Sequence, residues 1–202
     1  MTRIITAGLA CGLLAAATLT AQQEPKPTCN MCPGVYITSQ EIQTYAARGK
    51  ANNIIDQQIR AVDIGKSHVA VGVVYRGKLD APAPNSVAEH DQVSEVYHII
   101  DGSGVLMIGP DIVGAQRRPP DDRAVKFLNG PGSNGTSIRN GVSYTLKPGD
   151  AVIIPAGTGH WFQKIDDHLT YLMVRVDPDK MTPLKDEAAS KADLAGPPPQ
   201  GR

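Results

Sequence analysis

The stretch from Lys147 to Phe162, KPGDAVIIPAGTGHWF, constrains the fold more than any other part of the chain. Pro148-Gly149-Asp150 reads as a tight turn, because proline presets one backbone angle and glycine tolerates a positive one. Ala151 to Ile154 is a short apolar run bounded by turn signals, which reads as a buried strand. Pro155 and Gly157 build a second turn that delivers His160 onto the next strand. Turn, strand, turn and strand within sixteen residues is the grammar of an all-β domain.

The same punctuation recurs from residue 54 onward. IIDQQIRAVD and HVAVGVVYRGK are two β-type runs with Gly65-Lys66 as the turn between them, and in the second Val69, Val71, Val73 and Tyr75 alternate with His68, Ala70, Gly72 and Val74. SEVYHII, VLMIG and LTYLMVRVD are further strands. The section from Pro110 to Gly141 reads as one or two edge strands, with FLNGPGSNGTSI as a mobile loop. With 20 glycines, 16 prolines and 4% aromatics, short strands and many turns suit the composition better than long helices. A β-sandwich or barrel follows; periodicity alone does not choose between an immunoglobulin-like sandwich and a jelly roll. One short helix stands before the strands, in ITSQEIQTYAARGK. Thr38 caps it, Glu41 completes a capping box, Gly49 ends it, and Ile42 and Tyr45 face the body.

The ends are of a different character. Residues 1–21 have one positive charge at Arg3, an uncharged stretch from Ile4 to Ala21 and then Gln22 and Gln23, the three-part pattern of a cleaved secretory signal. The alternative, an uncleaved anchor, needs ~20 mainly apolar residues, and Ala, Gly and Thr dilute this segment. Residues 22–53 are linker and helix, 54–178 the barrel, and 179–202 a partly disordered tail with one frayed helix. Export makes the protein periplasmic or extracellular, with no membrane attachment after cleavage. Cys29 and Cys32 then read as a local disulfide, the alternative being a redox-active pair. Lysine plus arginine equals aspartate plus glutamate at 20 each, and no basic stripe stands out, which argues against nucleic acid as a partner.

Gly149, Pro155, Gly157 and His160 match the second sequence motif of the cupin superfamily, glycine, five residues, Pro-x-Gly, two residues, histidine. AEHDQVSEVYHIIDG resembles the first motif, with His90, Glu95 and Gly102 in register. Two departures stand out: Ala88 occupies the position of the first histidine, and Lys164 that of the asparagine ending the second motif. The resemblance implies a jelly-roll barrel in which His90, Glu95 and His160 keep three of the four usual metal positions. Two imidazoles and one carboxylate suit a divalent ion such as Fe, Mn, Zn or Ni and leave coordination sites open. It does not imply one reaction.

Strand parity extends the site. If His160 points inward, so do Phe162 and Lys164, while Trp161 and Gln163 point out; Tyr97 and Ile99 share the face of Glu95. Tyr97 and Lys164 are the acid/base candidates. Tyr97, Phe162, Lys164 and Arg175 are the substrate-contact candidates, with Lys164 and Arg175 suited to an anion. The alternatives are an edge lysine and an arginine paired with an acid such as Asp150 or Asp177. Parity sends His98 to the outer face, leaves His68 undecided, and puts Trp161 where a homodimer could cover it. The expected activity is oxygenase, isomerase or hydrolytic chemistry on a small molecule in the barrel mouth. The alternatives are a cupin that binds a small molecule without turnover, its metal site degenerate or empty, and a scaffold without a ligand.

Overall fold

The computed structural model describes residues 26–199; the expected signal segment lies outside them. Its elements in chain order are α1 (Ser39–Asn52), β1 (Asp56–Asp63), β2 (His68–Leu79), β3 (Val87–His90), β4 (Ser94–Gly109), β5 (Asp111–Val113), β6 (Gln116–Arg117), a π-helical turn (Val125–Asn129), β7 (Gly132–Gly135), β8 (Ser137–Arg139), β9 (Val142–Leu146), β10 (Ala151–Ile154), β11 (Gly159–Asp177) and α2 (Glu187–Ala195). All named strand pairs are antiparallel.

Two long strands organise the barrel. β11 pairs along its length with β4, along its second half with β2, and at its start with β3 through His160 opposite Ala88. β4 also pairs with β9 and β10, and β3 passes the sheet on to β7 and β6. β4 and β11 run past several register breaks, where extra residues bend the strands and let the nine-stranded sheet curl round on itself. This is the jelly roll that periodicity left undecided. The enclosed core holds Tyr97, Ile99, Leu106, Ile154, Phe162, Ile165, Leu169, Tyr171 and Met173. Each large apolar side chain buried there contributes roughly 1.5–3 kcal/mol.

The helix forms where expected and ends later. The Thr38 hydroxyl accepts the Glu41 N–H at 3.1 Å, but the Glu41 carboxylate accepts from Arg60 at 2.9 Å instead of returning to Thr38. Gly49 lies inside the helix, its carbonyl accepting the Ile54 N–H, and Asn53 makes the left-handed cap. A side chain at Gly49 would meet the Ile54 carbonyl and Gln57, so close packing rather than termination calls for glycine there.

Two segments are more ordered than the sequence suggested. The expected mobile loop supplies the π-turn, β7 and β8, and β7 pairs with the whole of β3. At Gly132 a Cβ would run into the Glu89 carbonyl, so this glycine marks close approach of two strands. The described part of the tail is built onto β1. Lys185 and Ala61 exchange backbone hydrogen bonds at 3.0 Å, the fully buried Ser190 donates to the Ile59 carbonyl, and the Tyr45 hydroxyl donates to the Ser190 carbonyl at 3.1 Å. A disulfide joins Cys29 and Cys32. No helix among the described residues is long and apolar enough to cross a membrane.

Candidate metal centre

Three strand ends bring the motif residues together. His90 is the last residue of β3, Glu95 the second of β4 and His160 the second of β11. The Gly157 N–H donates to the His90 carbonyl at 2.7 Å, tying the second motif's turn to the first motif's histidine. Gly157 holds φ at +76°, a conformation that costs other residues roughly 1–2 kcal/mol. Glu95 lies opposite Ile154 on one side and Arg175 on the other.

His90, Glu95 and His160 are each at most 6% exposed, and one ligand atom of each falls within 4.8 Å of the others. His90 Nε2 stands 3.4 Å from Glu95 Oε1, and His160 Nε2 stands 3.6 Å from Oε2. Adjacent ligands on an ion with ~2.1 Å bonds lie about 3.0 Å apart in an octahedral set and about 3.4 Å apart in a tetrahedral one, so small movements would close this set. His160 Nδ1 donates to the Thr158 carbonyl at 3.3 Å, which leaves the Nε2 lone pair facing inward. Burial pushes His160 down to about 4, against the pull of Glu95, so the ring is neutral and able to ligate at pH 7. Burial alone would raise Glu95; His90, His160 and Arg175 outweigh it and hold the carboxyl well below its ordinary value.

Asn129, at the end of the π-turn and 5% exposed, completes the ring. Its Nδ2 lies 2.6 Å from His90 Nε2 and 2.9 Å from Glu95 Oε1, while its Oδ1 is buried without a partner. On the other side of the imidazole, Arg118 Nη1 lies 3.2 Å from His90 Nδ1. Arginine only donates, so Nδ1 accepts and Nε2 carries the ring proton. That proton faces an amide nitrogen that also needs an acceptor. Turning the amide over places Oδ1 against Nε2–H but also against Glu95 Oε1. Neither orientation suits both neighbours. A cation removes the conflict: Oδ1, Oε1 and a deprotonated Nε2 would all direct lone pairs at it, and Arg118 would yield as the proton moves to Nδ1. The donor set therefore fits a divalent ion held by His90, Glu95 and His160, with the unpartnered Asn129 Oδ1 beside it as a further oxygen donor.

The set opens on a cavity of about 160 Å³ lined by Ala88, Tyr97, Tyr171 and Met173 together with Arg76, Arg118 and Arg123. The Tyr97 hydroxyl donates to Glu95 Oε2 at 2.7 Å, and burial and the Glu95 charge raise it well above the usual phenol range.

The remaining parity assignments divide. Phe162 is buried in the core, against Tyr171 and beneath Arg76, rather than on the cavity wall. Lys164 is not in the site. The register break after Phe162 inserts one residue, so Ile165 takes the inward position and Lys164 turns to solvent, 2.7 Å from Asp166. Arg175 does point inward and is 1% exposed, but it is spent on Asp56 and, at 3.6 Å, on Glu95. Its acids are neither Asp150 nor Asp177, and it braces Glu95 instead of lining the cavity. His98 is exposed on the outer face as parity required, and His68 is buried away from the centre, its Nδ1 3.0 Å from the Thr182 carbonyl. Trp161 is half-buried, its indole donating to Ser86. Asn129, Arg76, Arg118 and Arg123 were not foreseen. Arg76 sat in a regular strand whose alternation marked its face, and the other three lay in a section without periodicity.

No family model and no curated protein matches the chain. Solved structures similar to it include BH2720 from Bacillus halodurans, 15% identical with a TM-score of 0.43, over 81% of this chain and 98% of that one. A cupin-2 domain protein from Shewanella frigidimarina is 13% identical with a TM-score of 0.36, over 67% and 94%. The DMSP lyase DddQ from Ruegeria pomeroyi is 19% identical with a TM-score of 0.38, over 63% of this chain and 48% of its own, so this chain spans about half of that protein's matched length.

Proposed function

We propose that this chain, a cupin by its two motifs and the barrel that carries them, binds one divalent transition metal through His90, Glu95 and His160 and acts on a small molecule in the adjoining cavity. The observation that supports this most directly is the buried ring of acceptors around Asn129, whose hydrogen-bonding conflict a cation resolves. A bound ion would supply polarisation of a carbonyl, or activation of water or dioxygen. The protein's own groups prepare for it. Glu95 stays ionised, His160 stays neutral, and Tyr97 remains a protonated donor at the cavity wall. Arg175 fixes the carboxylate from behind.

A second reading, capture of a small molecule without turnover, has one observation in its favour. Tyr97, Tyr171 and Asp56 are the cavity's remaining acid/base groups apart from the proposed ligands. Tyr97 is tied to Glu95, Tyr171 to Arg76 and Asp56 to Arg175. We also propose export, which the Cys29–Cys32 disulfide supports, because such bonds persist in oxidising compartments.

The test is elemental analysis of protein purified without chelator. About one transition-metal ion per chain is expected, with loss of the ion in a His160→Ala variant that retains the far-ultraviolet spectrum of the parent. Absence of metal both as isolated and after titration with Fe, Mn, Zn and Ni would refute the metal assignment. Turnover against retention of a captured ligand then separates catalyst from binder.

A further inference from the structure

The cavity wall carries more positive charge than the metal centre needs. Arg76, Arg118 and Arg123 all line it, and among the described residues none has a carboxylate within 4 Å. Arg76 lies 4.5 Å over the Phe162 ring, and its Nε donates to the Tyr171 hydroxyl at 3.3 Å. Its two Nη atoms make no hydrogen bond to a described residue. Arg118 is held in place by the Asn134 side chain at 2.8 Å and the Ser133 carbonyl at 3.0 Å. Arg123 reaches only the Asp56 carbonyl, at 3.3 and 3.4 Å. Of the acids nearby, Asp56 and Glu95 are engaged by Arg175, and Asp122 and Glu89 act on Arg118 only from beyond ion-pair distance. The three guanidinium groups of the cavity wall thus have no carboxylate in contact.

Guanidinium groups left in a partly buried hollow without counter-charge are costly unless a ligand answers them. A structural explanation would pair each with an acid, as Arg117 pairs with Asp91 and Arg139 with Asp111 on the surface of the same molecule. Arg123 and Leu128 also line a larger cleft of about 450 Å³ against α2, so they are shared between the two hollows. A cavity of about 160 Å³ suits a small molecule.

We propose that the cavity binds a small oxyanion, a carboxylate or a phosphate, through Arg76, Arg118 and Arg123. This rests on the reading that the cavity is the ligand site, but not on the presence of metal.

Calorimetric titration of the chelator-treated full chain with malonate, inorganic phosphate and the neutral isostere malonamide tests the proposal. Malonate or phosphate is expected to bind, the tighter of the two naming the oxyanion, and malonamide is expected not to. Arg123→Gln and Arg76→Met are each expected to weaken the anion about tenfold or more, as loss of a hydrogen bond to a charged group does, with the metal content of the protein as isolated unchanged. Two substitutions are used so that one misfolded variant leaves the other to decide. Equal binding of malonate and malonamide, no binding of either anion, or unaltered anion affinity in a folded variant would overturn the proposal. Metal content measured on each protein as isolated, before chelator treatment, separates this failure from failure of the metal assignment.

Discussion

His160 should make the metal-free protein weaker in mild acid, by an amount the structure sets. Its imidazole is 6% exposed, and burial pushes it from an ordinary 6.5 down to about 4. The unfolded chain therefore binds a proton between pH 6.5 and 4 that the native state refuses. In that window the unfolded state carries more protons, so stability rises with pH and is lost as pH falls. Taking the two values, the loss between pH 7 and pH 5 is about 1.8 kcal/mol. At a urea dependence of ~1–3 kcal/mol per molar, the midpoint should fall by roughly 1 M. The assay is urea unfolding in chelator at half-unit steps of pH, for the parent and for His160→Gln. The variant starts less stable but should lack this component. Groups such as His168, which Asp101 and Asp167 raise, oppose the trend equally in both proteins and cancel in the difference. Parallel pH profiles for parent and variant would show that His160 is not held neutral by the fold.

Asn129→Ala should lower metal affinity about 10- to 100-fold, as loss of a supporting or ligating group does, while leaving the fold intact; competition with a metallochromic chelator measures it, and unchanged affinity would remove Asn129 from the donor set. Arg175→Met should cost about 3–5 kcal/mol, because it leaves Asp56 and Glu95 without their buried partner, whereas Lys164→Met should stay within about 0.5 kcal/mol; chemical denaturation compares them, and equal losses would contradict the inward and outward placements. Thr38→Ala should remove about 1 kcal/mol through loss of the helix cap, read as a shifted melting temperature.

The sequence by itself determined the all-β class, the cap at Thr38, and the alignment of His90, Glu95 and His160 by two motifs of fixed spacing. These are local facts. Turn chemistry at Gly149 and Gly157 and the period-two burial of short strands need no knowledge of distant residues. Parity carried this reading correctly through Tyr97 and His98. It failed at Lys164 because a bulge depends on which strand lies opposite, not on the bulged strand's own residues. The tertiary structure alone decided that Arg175 serves Asp56 and Glu95, since those partners lie 119 and 80 residues away along the chain. It alone brought Asn129 out of an aperiodic segment and set it against His90 and Glu95. Glycines at 132 and 135, which read as mobility, proved to be the points where β7 approaches its neighbours too closely for a side chain. Spacing can order residues along one strand, but the meeting of side chains from separate strands is set by how the whole barrel closes.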